Sequence, residues 1–297
     1  MGLQDPGPAW LFCPADRPER FQKAAAAADI VILDLEDGCA AADRPAAREA
    51  LADVQLDPAR TVVRVNQFGT ADQELDLEAL KGTSYDTVML PKCEAVEHVS
   101  ALAPLDVIVL VESPMGALVV TETVQVDNAV AVMWGAEDLF AVLGGTANRY
   151  SDGTYREVAR HVRSQSLLAA KAHGRLALDS VYLDIKDLDG LRAEVDDAVA
   201  VGFDAKVAIH PSQLPVIRAG YAPSREQVQW ARQVLAAAVD ERGVFAFEGK
   251  MVDAPVLRRA ERIVHLAGDA GSEQPRCGVC CDYLRWAAAS RAANSGD

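Results

Sequence analysis

Acidic residues recur at one kind of place in this chain, just after a short apolar run. Glu36 and Asp37 follow the run 30–35, Glu112 follows 107–111, Glu137 and Asp138 follow 129–134, and Asp184 lies near the end of 178–185. Asp16 and Arg17 follow 10–13, Arg64 and Asn66 close the run 61–65, Lys92 follows 87–90, and His210 follows 206–209. Carboxylates dominate this set, with Arg64 and Lys92 among them, few histidines and no paired thiolates. Such donors suit a hard divalent cation with oxygen ligands. Mg2+ is typically held by one or two carboxylates, with substrate and water filling the rest of its octahedron.

Eight runs therefore have to be positioned. Between them lie Ala-rich amphipathic stretches at 20–28, 45–54, 155–173 and 191–201. Strand and helix alternating eight times argues for parallel βαβ units. Eight such units in ~250 residues is the size of a closed (β/α)8 TIM barrel, an α/β fold whose active site lies at the C-terminal ends of its strands. An open doubly wound sheet is the alternative, but it usually carries a glycine fingerprint after its first strand, and 10–17 contains no glycine. Asp16-Arg-Pro-Glu19 reads as a helix start, with Pro in the first turn. Ser224-Arg-Glu-Gln227 fits a capping box opening a helix to about Asp240, and Gly174 fits a helix C-terminus.

This divides the chain into a barrel over 1–242, a C-terminal helical lid or subunit-contact segment over 243–270, and a flexible tail over 271–297. The middle segment holds an apolar stretch at 244–247, a Gly-Lys-Met-Val-Asp turn and a helix from about Pro255; it is too apolar for a tail. In the tail a short helix is expected near 283–288. Cys277, Cys280 and Cys281 cluster there, but a structural zinc site wants four ligands and no second Cys or His pair has matching spacing. Cys13, Cys39 and Cys93 are scattered and read as buried free thiols.

The 297 residues are 50% apolar and 25% charged, enough for a sizeable core. Lys and Arg total 29 against 44 Asp and Glu, a net charge of −15. So acidic a chain argues against non-specific binding to nucleic acid or to an anionic membrane. No apolar run approaches ~20 residues, and the N-terminus has neither a basic n-region nor an apolar h-region. A cytoplasmic protein is expected.

Eight segments then occur in a telling order: WLFCPADRPERFQKA, VILDLEDG, VVRVN, VMLPK, VES, WGAEDL, VGFDAKVAIHPSQ and GKMVDAP. Over about residues 10–267 the chain resembles the citrate lyase beta-subunit-like proteins, of the superfamily of malyl-CoA and citramalyl-CoA lyases and related aldolases. With its Ala- and Arg-rich composition it is most similar to stand-alone, actinobacterial-type members. The resemblance implies that Glu112 and Asp138 bind Mg2+, with Glu112 also facing substrate. Arg64 matches the family arginine that binds the substrate's carboxylate or keto oxygen, which a guanidinium can do bidentately. Asn66 would add a hydrogen bond. Glu36 and Asp37 match a Leu-Glu-Asp motif beside the metal and its waters. Asp34, two residues before Glu36, shares its face and reads as buried and structural. Asp253 resembles a C-terminal acid/base aspartate that in several members reaches a neighbouring subunit's site. Read alone, it is a helix N-cap before Pro255, and the two roles are compatible. Arg17, Arg20 and Lys23 stand where the family meets coenzyme A, although an exposed amphipathic helix would carry the same residues. His210 reads as a structural histidine, Arg149 as a lesser substrate candidate, and Lys92 as a partner of the acids rather than a Schiff-base lysine.

The function so implied is a Mg2+-dependent lyase that cleaves a β-hydroxyacyl-CoA, of the citramalyl-CoA, malyl-CoA or hydroxymethylglutaryl-CoA type, to an acyl-CoA and a keto acid. The partners implied are a small acyl-CoA substrate and a homo-oligomer, trimer or hexamer. Alternatives are the beta subunit of a citrate lyase complex acting on an acyl-carrier-protein thioester, a malate or citramalate synthase-type condensing enzyme, and a binding barrel without catalysis.

Overall fold

The computed structural model describes residues 6–239 and 243–268. Eight parallel strands close into a barrel in sequence order: β1 (Ala9–Pro14), β2 (Ile30–Asp34), β3 (Thr61–Arg64), β4 (Thr87–Leu90), β5 (Asp106–Val111), β6 (Ala129–Trp134), β7 (Leu176–Asp179) and β8 (Ala205–Ala208), with β8 pairing β1. The strands are buried on both faces, which is why they read as near-continuous apolar runs rather than as alternating ones. Trp10, Ile32, Val62, Met89, Leu110, Met133, Leu178 and Val207 meet in one core cluster inside the ring. Successive residues of a strand face opposite ways, so Asp34, Arg64 and Glu112 stand on the same inward face two residues beyond Ile32, Val62 and Leu110. The core thus fills the ring, and charge begins only at its C-terminal rim.

The helices are α1 (Phe21–Ala27), α2 (Arg44–Asp53), α3 (Ala71–Leu80), α4 (Val96–Ser100), α5 (Pro114–Thr123), α6 (Ala136–Leu143), α7 (Glu157–Ala172), α8 (Leu188–Val201), α9 (Leu214–Tyr221), α10 (Arg225–Ala238) and α11 (Ala254–Leu266). In α7 the buried residues Ala159, Val162, Ser166, Ala169 and Ala170 follow the three-to-four spacing of one helix face. Gly174, at φ +64°, lies just past that helix in the left-handed region.

Some boundaries differ from the expectation. The run 178–185 yields a strand only to Asp179: Tyr182 donates to Asp187 Oδ2, and its carbonyl accepts from Gln213 Nε2 at 2.8 Å, so side chains replace the ladder there. Asp184 consequently sits in a turn, where its Oδ1 accepts from the Lys186 N–H at 3.0 Å. Asp16 does not cap a helix; the chain there makes a 3-10 turn at Pro18–Arg20 without a side-chain cap. The capping box at Ser224 and Gln227 is formed. Cys13, Cys39 and Cys93 are buried free thiols, with burial raising the Cys13 and Cys39 pKa to about 11.

Between the barrel and its helices lies a buried polar cluster that the patterning did not announce. Lys206, in the middle of β8, is fully buried; its Nζ donates to Asp179 Oδ2 at 3.0 Å, the Ser180 carbonyl at 2.7 Å and Glu194 Oε2 at 3.2 Å. Asp179 Oδ1 accepts from Trp134 Nε1 at 2.8 Å and Arg163 Nε at 2.9 Å. Burial alone would raise the Asp179 pKa, but Lys206 and Arg163 outweigh it and hold the carboxyl at about 2.

The chain divides into two compact units at Gly220/Tyr221. In the second, α10 and α11 pack with a hairpin of β9 (Phe245–Phe247) and β10 (Lys250–Val252) around Ala231, Val234, Val252, Ala260 and Ile263. The cysteine cluster at Cys277, Cys280 and Cys281 and the expected helix at 283–288 lie outside the described residues.

Candidate active site

Five residues, from the ends of three strands and the first turn of α6, converge at the C-terminal rim. Lys92 Nζ pairs with Glu36 and lies 3.5 Å from Asp37 Oδ2, 3.9 Å from Glu112 Oε1 and 3.8 Å from Asp138 Oδ1. The backbone N–H of Lys92 also donates to Glu112 Oε1 at 3.0 Å. One ammonium therefore stands among four carboxylates. Glu112 follows β5 directly. Asp138 does not end β6, as the sequence suggested, but lies in the first turn of α6; Gly135 and Ala136 carry the chain over the rim and turn Asp138 back. Glu137 points elsewhere and accepts from Asn148 Nδ2 at 2.6 Å.

Arg64 is built in rather than free. Its Nε and Nη2 grip Asp34 Oδ1 and Oδ2 at 2.7 and 2.5 Å, a fork across paired strands, since Asp34 and Arg64 are register partners. Phe12 stacks beneath it, 4.7 Å from ring centre to guanidinium carbon. Asp34 in turn accepts from the Glu36 and Gly38 N–H groups at 3.0 and 2.9 Å, which bends the chain after β2 so that Glu36 faces the site. A Cβ on Gly38 would fall 2.2 Å from Asp34 Oδ2, so only glycine fits there.

The electrostatics of the rim show a deficit of positive charge. Glu112 is 3% exposed. Burial raises its pKa, Lys92 pulls it down, and Asp138 and Glu36 push it up again, to about 8. Burial likewise raises the Glu36 carboxyl against the pull of Arg64 and Lys92. Arg64 Nη1 lies 3.1 Å from Glu36 Oε2 but is not aligned to donate, so that buried oxygen lacks a hydrogen bond. Burial would lower the Lys92 pKa, but the Glu36 hydrogen bond and the Glu112 charge outweigh it and raise it well above the usual lysine value. A divalent cation at Glu112 and Asp138 would supply the missing charge. Among the described residues no three acidic, His or Cys side chains form a ready-made metal cage.

The other candidates fall in different settings. Both Nδ2 protons of Asn66 are taken, by the Leu35 carbonyl at 3.0 Å and Asp76 Oδ2 at 2.8 Å, so this amide has no free donor for a substrate. His210 caps the turn at Pro211–Gln213, with Nδ1 2.8 Å from Ser212 Oγ. Arg149 is engaged by Glu194 and by the Gly153 carbonyl at 2.8 Å, and stacks on Tyr155. Arg17, Arg20 and Lys23 are exposed, in the β1–α1 connection and the first turn of α1. Asp253, in the second unit, caps α11 by accepting from the Val256 N–H at 3.3 Å. Gly135 was not foreseen: a Cβ there would stand 3.0 Å from Glu112 Cβ and 3.1 Å from its Oε2. A glycine directly after an apolar run that leads into two acids was the available signal.

The sequence model of the HpcH/HpaI aldolase/citrate lyase family matches residues 9–211. A citrate lyase subunit beta-like protein of Mycobacterium tuberculosis is 64% identical over 273 residues, covering 92% of this chain and 100% of that protein. The mitochondrial citramalyl-CoA lyase of Homo sapiens is 33% identical, over 88% of this chain and 86% of its own length. A crystal structure of CitE from M. tuberculosis, in complex with magnesium, acetoacetate and coenzyme A, is 64% identical and superposes with a TM-score of 0.86, covering 89% of this chain and 98% of that one.

Proposed function

The chain belongs to the HpcH/HpaI aldolase/citrate lyase family, and from that premise we propose that it is a Mg2+-dependent carbon–carbon lyase acting on a β-hydroxyacyl-CoA. The observation that carries this is the cluster at the rim: four carboxylates short of positive charge beside a buried, forked Arg64. Glu112 and Asp138 would hold the ion. Bound there, Mg2+ makes a substrate hydroxyl easier to deprotonate and favours negative charge on neighbouring oxygens.

The chain's own groups do the rest. Arg64, immobilised by Asp34, meets the keto-acid end and stabilises the charge that develops as the bond breaks. The bond between the hydroxyl-bearing carbon and the α-carbon of the thioester breaks, the hydroxyl becomes the ketone, and the electron pair passes to the acyl-CoA as its enolate. Asp253, as the acid/base, takes the hydroxyl proton as the bond breaks and returns it to that carbon, so the proton is conserved. Glu36 and Asp37 act through charge, holding Lys92 and steadying the waters at the rim. Asn66 serves by tying the Leu35 carbonyl and Asp76 together. Arg17, Arg20 and Lys23 meet the phosphates of coenzyme A, which their exposure beside the mouth of β1 supports.

The barrel acts within a homo-oligomer, a trimer or hexamer, in which the segment from 243 serves as lid and subunit contact for a neighbouring copy and Asp253 works there. Support for association comes from α5 and α7, where Leu118 and Leu168 leave 71% and 70% of their surface exposed. Among the described residues no helix is long and apolar enough to cross a membrane, and a cytoplasmic site of action belongs to the same proposal. The test is the purified chain with Mg2+ and citramalyl-CoA, malyl-CoA and hydroxymethylglutaryl-CoA, with mass spectrometry for acyl-CoA and keto acid. Turnover of free CoA esters supports this reading. Cleavage only of an acyl-carrier-protein thioester in a complex points instead to a citrate lyase subunit, and absence of any cleavage refutes it.

A further inference from the structure

Lys92 is placed with unusual care. It is one of two non-glycine residues among those described with a left-handed backbone, at φ +49°, and this conformation costs energy that its surroundings must supply. They do so through Glu112: the Lys92 N–H donates to Glu112 Oε1, while its own side chain returns to the same group of acids. The result is an ammonium among four carboxylates. Glu36, its hydrogen-bond partner, and Asp37, at 3.5 Å, follow β2; Glu112 and Asp138, at 3.9 and 3.8 Å, come from β5 and α6. The side chain is 22% exposed, so it is partly open to solvent. Arg64 is committed to Asp34, which leaves Lys92 as the cation in contact with all four acids.

We propose that Lys92, held by Glu36, is a tethered counter-cation whose charge opposes the metal at Glu112 and Asp138. The proposal rests on the metal reading above. A divalent ion within ligand distance, ~2.1 Å, of those two carboxylates would stand next to Nζ, which lies within 4 Å of both. A single and a double positive charge at that separation repel strongly where water is partly excluded. The hydrogen bond to Glu36, with Asp37 beside it, holds the ammonium there, so the site keeps Lys92 at hand yet weakens its own hold on the ion. Lys92 is thus a positioning residue that tunes how readily the ion, and product chelated to it, leaves.

Two measurements on the full chain test this. Isothermal titration with magnesium chloride, at ionic strength matched with sodium chloride, compares the wild type with Lys92→Met. The variant should bind Mg2+ roughly tenfold more tightly, the size of effect expected from removing one competing charge at a partly exposed site. The second needs no variant: acetylation of the wild-type lysines, read peptide by peptide, should accelerate at Lys92 across the Mg2+ titration while the other lysines keep their rates. No Mg2+ binding by the wild type would sink the metal reading itself. Binding that leaves Lys92 labelling unchanged overturns the role of Lys92 and leaves the metal reading standing, and equal or weaker binding by a folded Lys92→Met does the same.

Discussion

Replacing Lys206 with methionine probes the largest electrostatic commitment of the barrel. The ammonium is fully buried and makes three hydrogen bonds, to Asp179, Ser180 and Glu194. Methionine fills similar space but leaves the Ser180 carbonyl without its donor and Asp179 with Arg163 as its remaining charge partner. Breaking a buried pair on one side costs about 3–5 kcal/mol; because Arg163 and Trp134 stay on Asp179, the lower end, about 3 kcal/mol, is expected. At about 2–4 °C per kcal/mol for a chain of this class, the midpoint should fall by about 6–12 °C. The pH dependence identifies the partner. Asp179 titrates at about 2 in the folded chain against an ordinary 3.8, so its charge contributes stability above the higher value, about 2 kcal/mol, and that is lost as pH falls through the lower one. Without Lys206 the folded carboxyl titrates higher, so the difference between wild type and variant should narrow between about pH 4 and pH 2. Thermal unfolding by circular dichroism, from about pH 7 downward, reads both effects. A difference that stays constant down to pH 2.5 would assign the loss to packing and refute the pairing argument.

Three further outcomes concern the rim. Asp138→Asn should fold normally yet lose Mg2+-dependent cleavage on the order of 10²-fold or more, and full activity in a coupled keto-acid assay would remove Asp138 from the metal site. Arg64→Lys loses the fork to Asp34, since lysine presents a single point of charge; kcat/KM should drop on the order of 10²-fold, and a change in KM alone would mean Arg64 serves binding only. Gly135→Ala brings a methyl to 3.0 Å from Glu112 Cβ. It should weaken Mg2+ binding more than it lowers the melting temperature, and the reverse pattern would mean Glu112 moves aside freely.

The barrel was legible because parallel strands buried on both faces must be apolar throughout, and eight such runs alternate with Ala-rich helices. The strand 87–90 and the strand 129–134 match the expectation residue for residue. The run 178–185 did not, because Val181, Tyr182 and Leu183 look like strand residues while the hydrogen bonds of Tyr182 go to side chains beyond the ladder. The pairing of Lys92 with the acids was read correctly from its place at a strand end. The engagement of Arg149 and Asn66 was not, since their partners, Glu194 and Asp76, lie outside the runs that drew attention. Lys206 went unnoticed because one lysine in an apolar run is visible, but the Asp179 that neutralises it is known only once β7 and β8 are paired.

Composition and patterning by themselves determined the fold class, the end of the barrel that carries the candidate site and the residue types available there, because each follows from burial along a local stretch. Tertiary structure alone decided which acids share Lys92, that Arg64 is locked by Asp34, and that Asp138 reaches the rim from a helix rather than a strand. Residues 36, 37, 112 and 138 are brought within 4 Å of the Lys92 ammonium only when the ring closes, and charge at that range depends on distance and burial, which no linear spacing records.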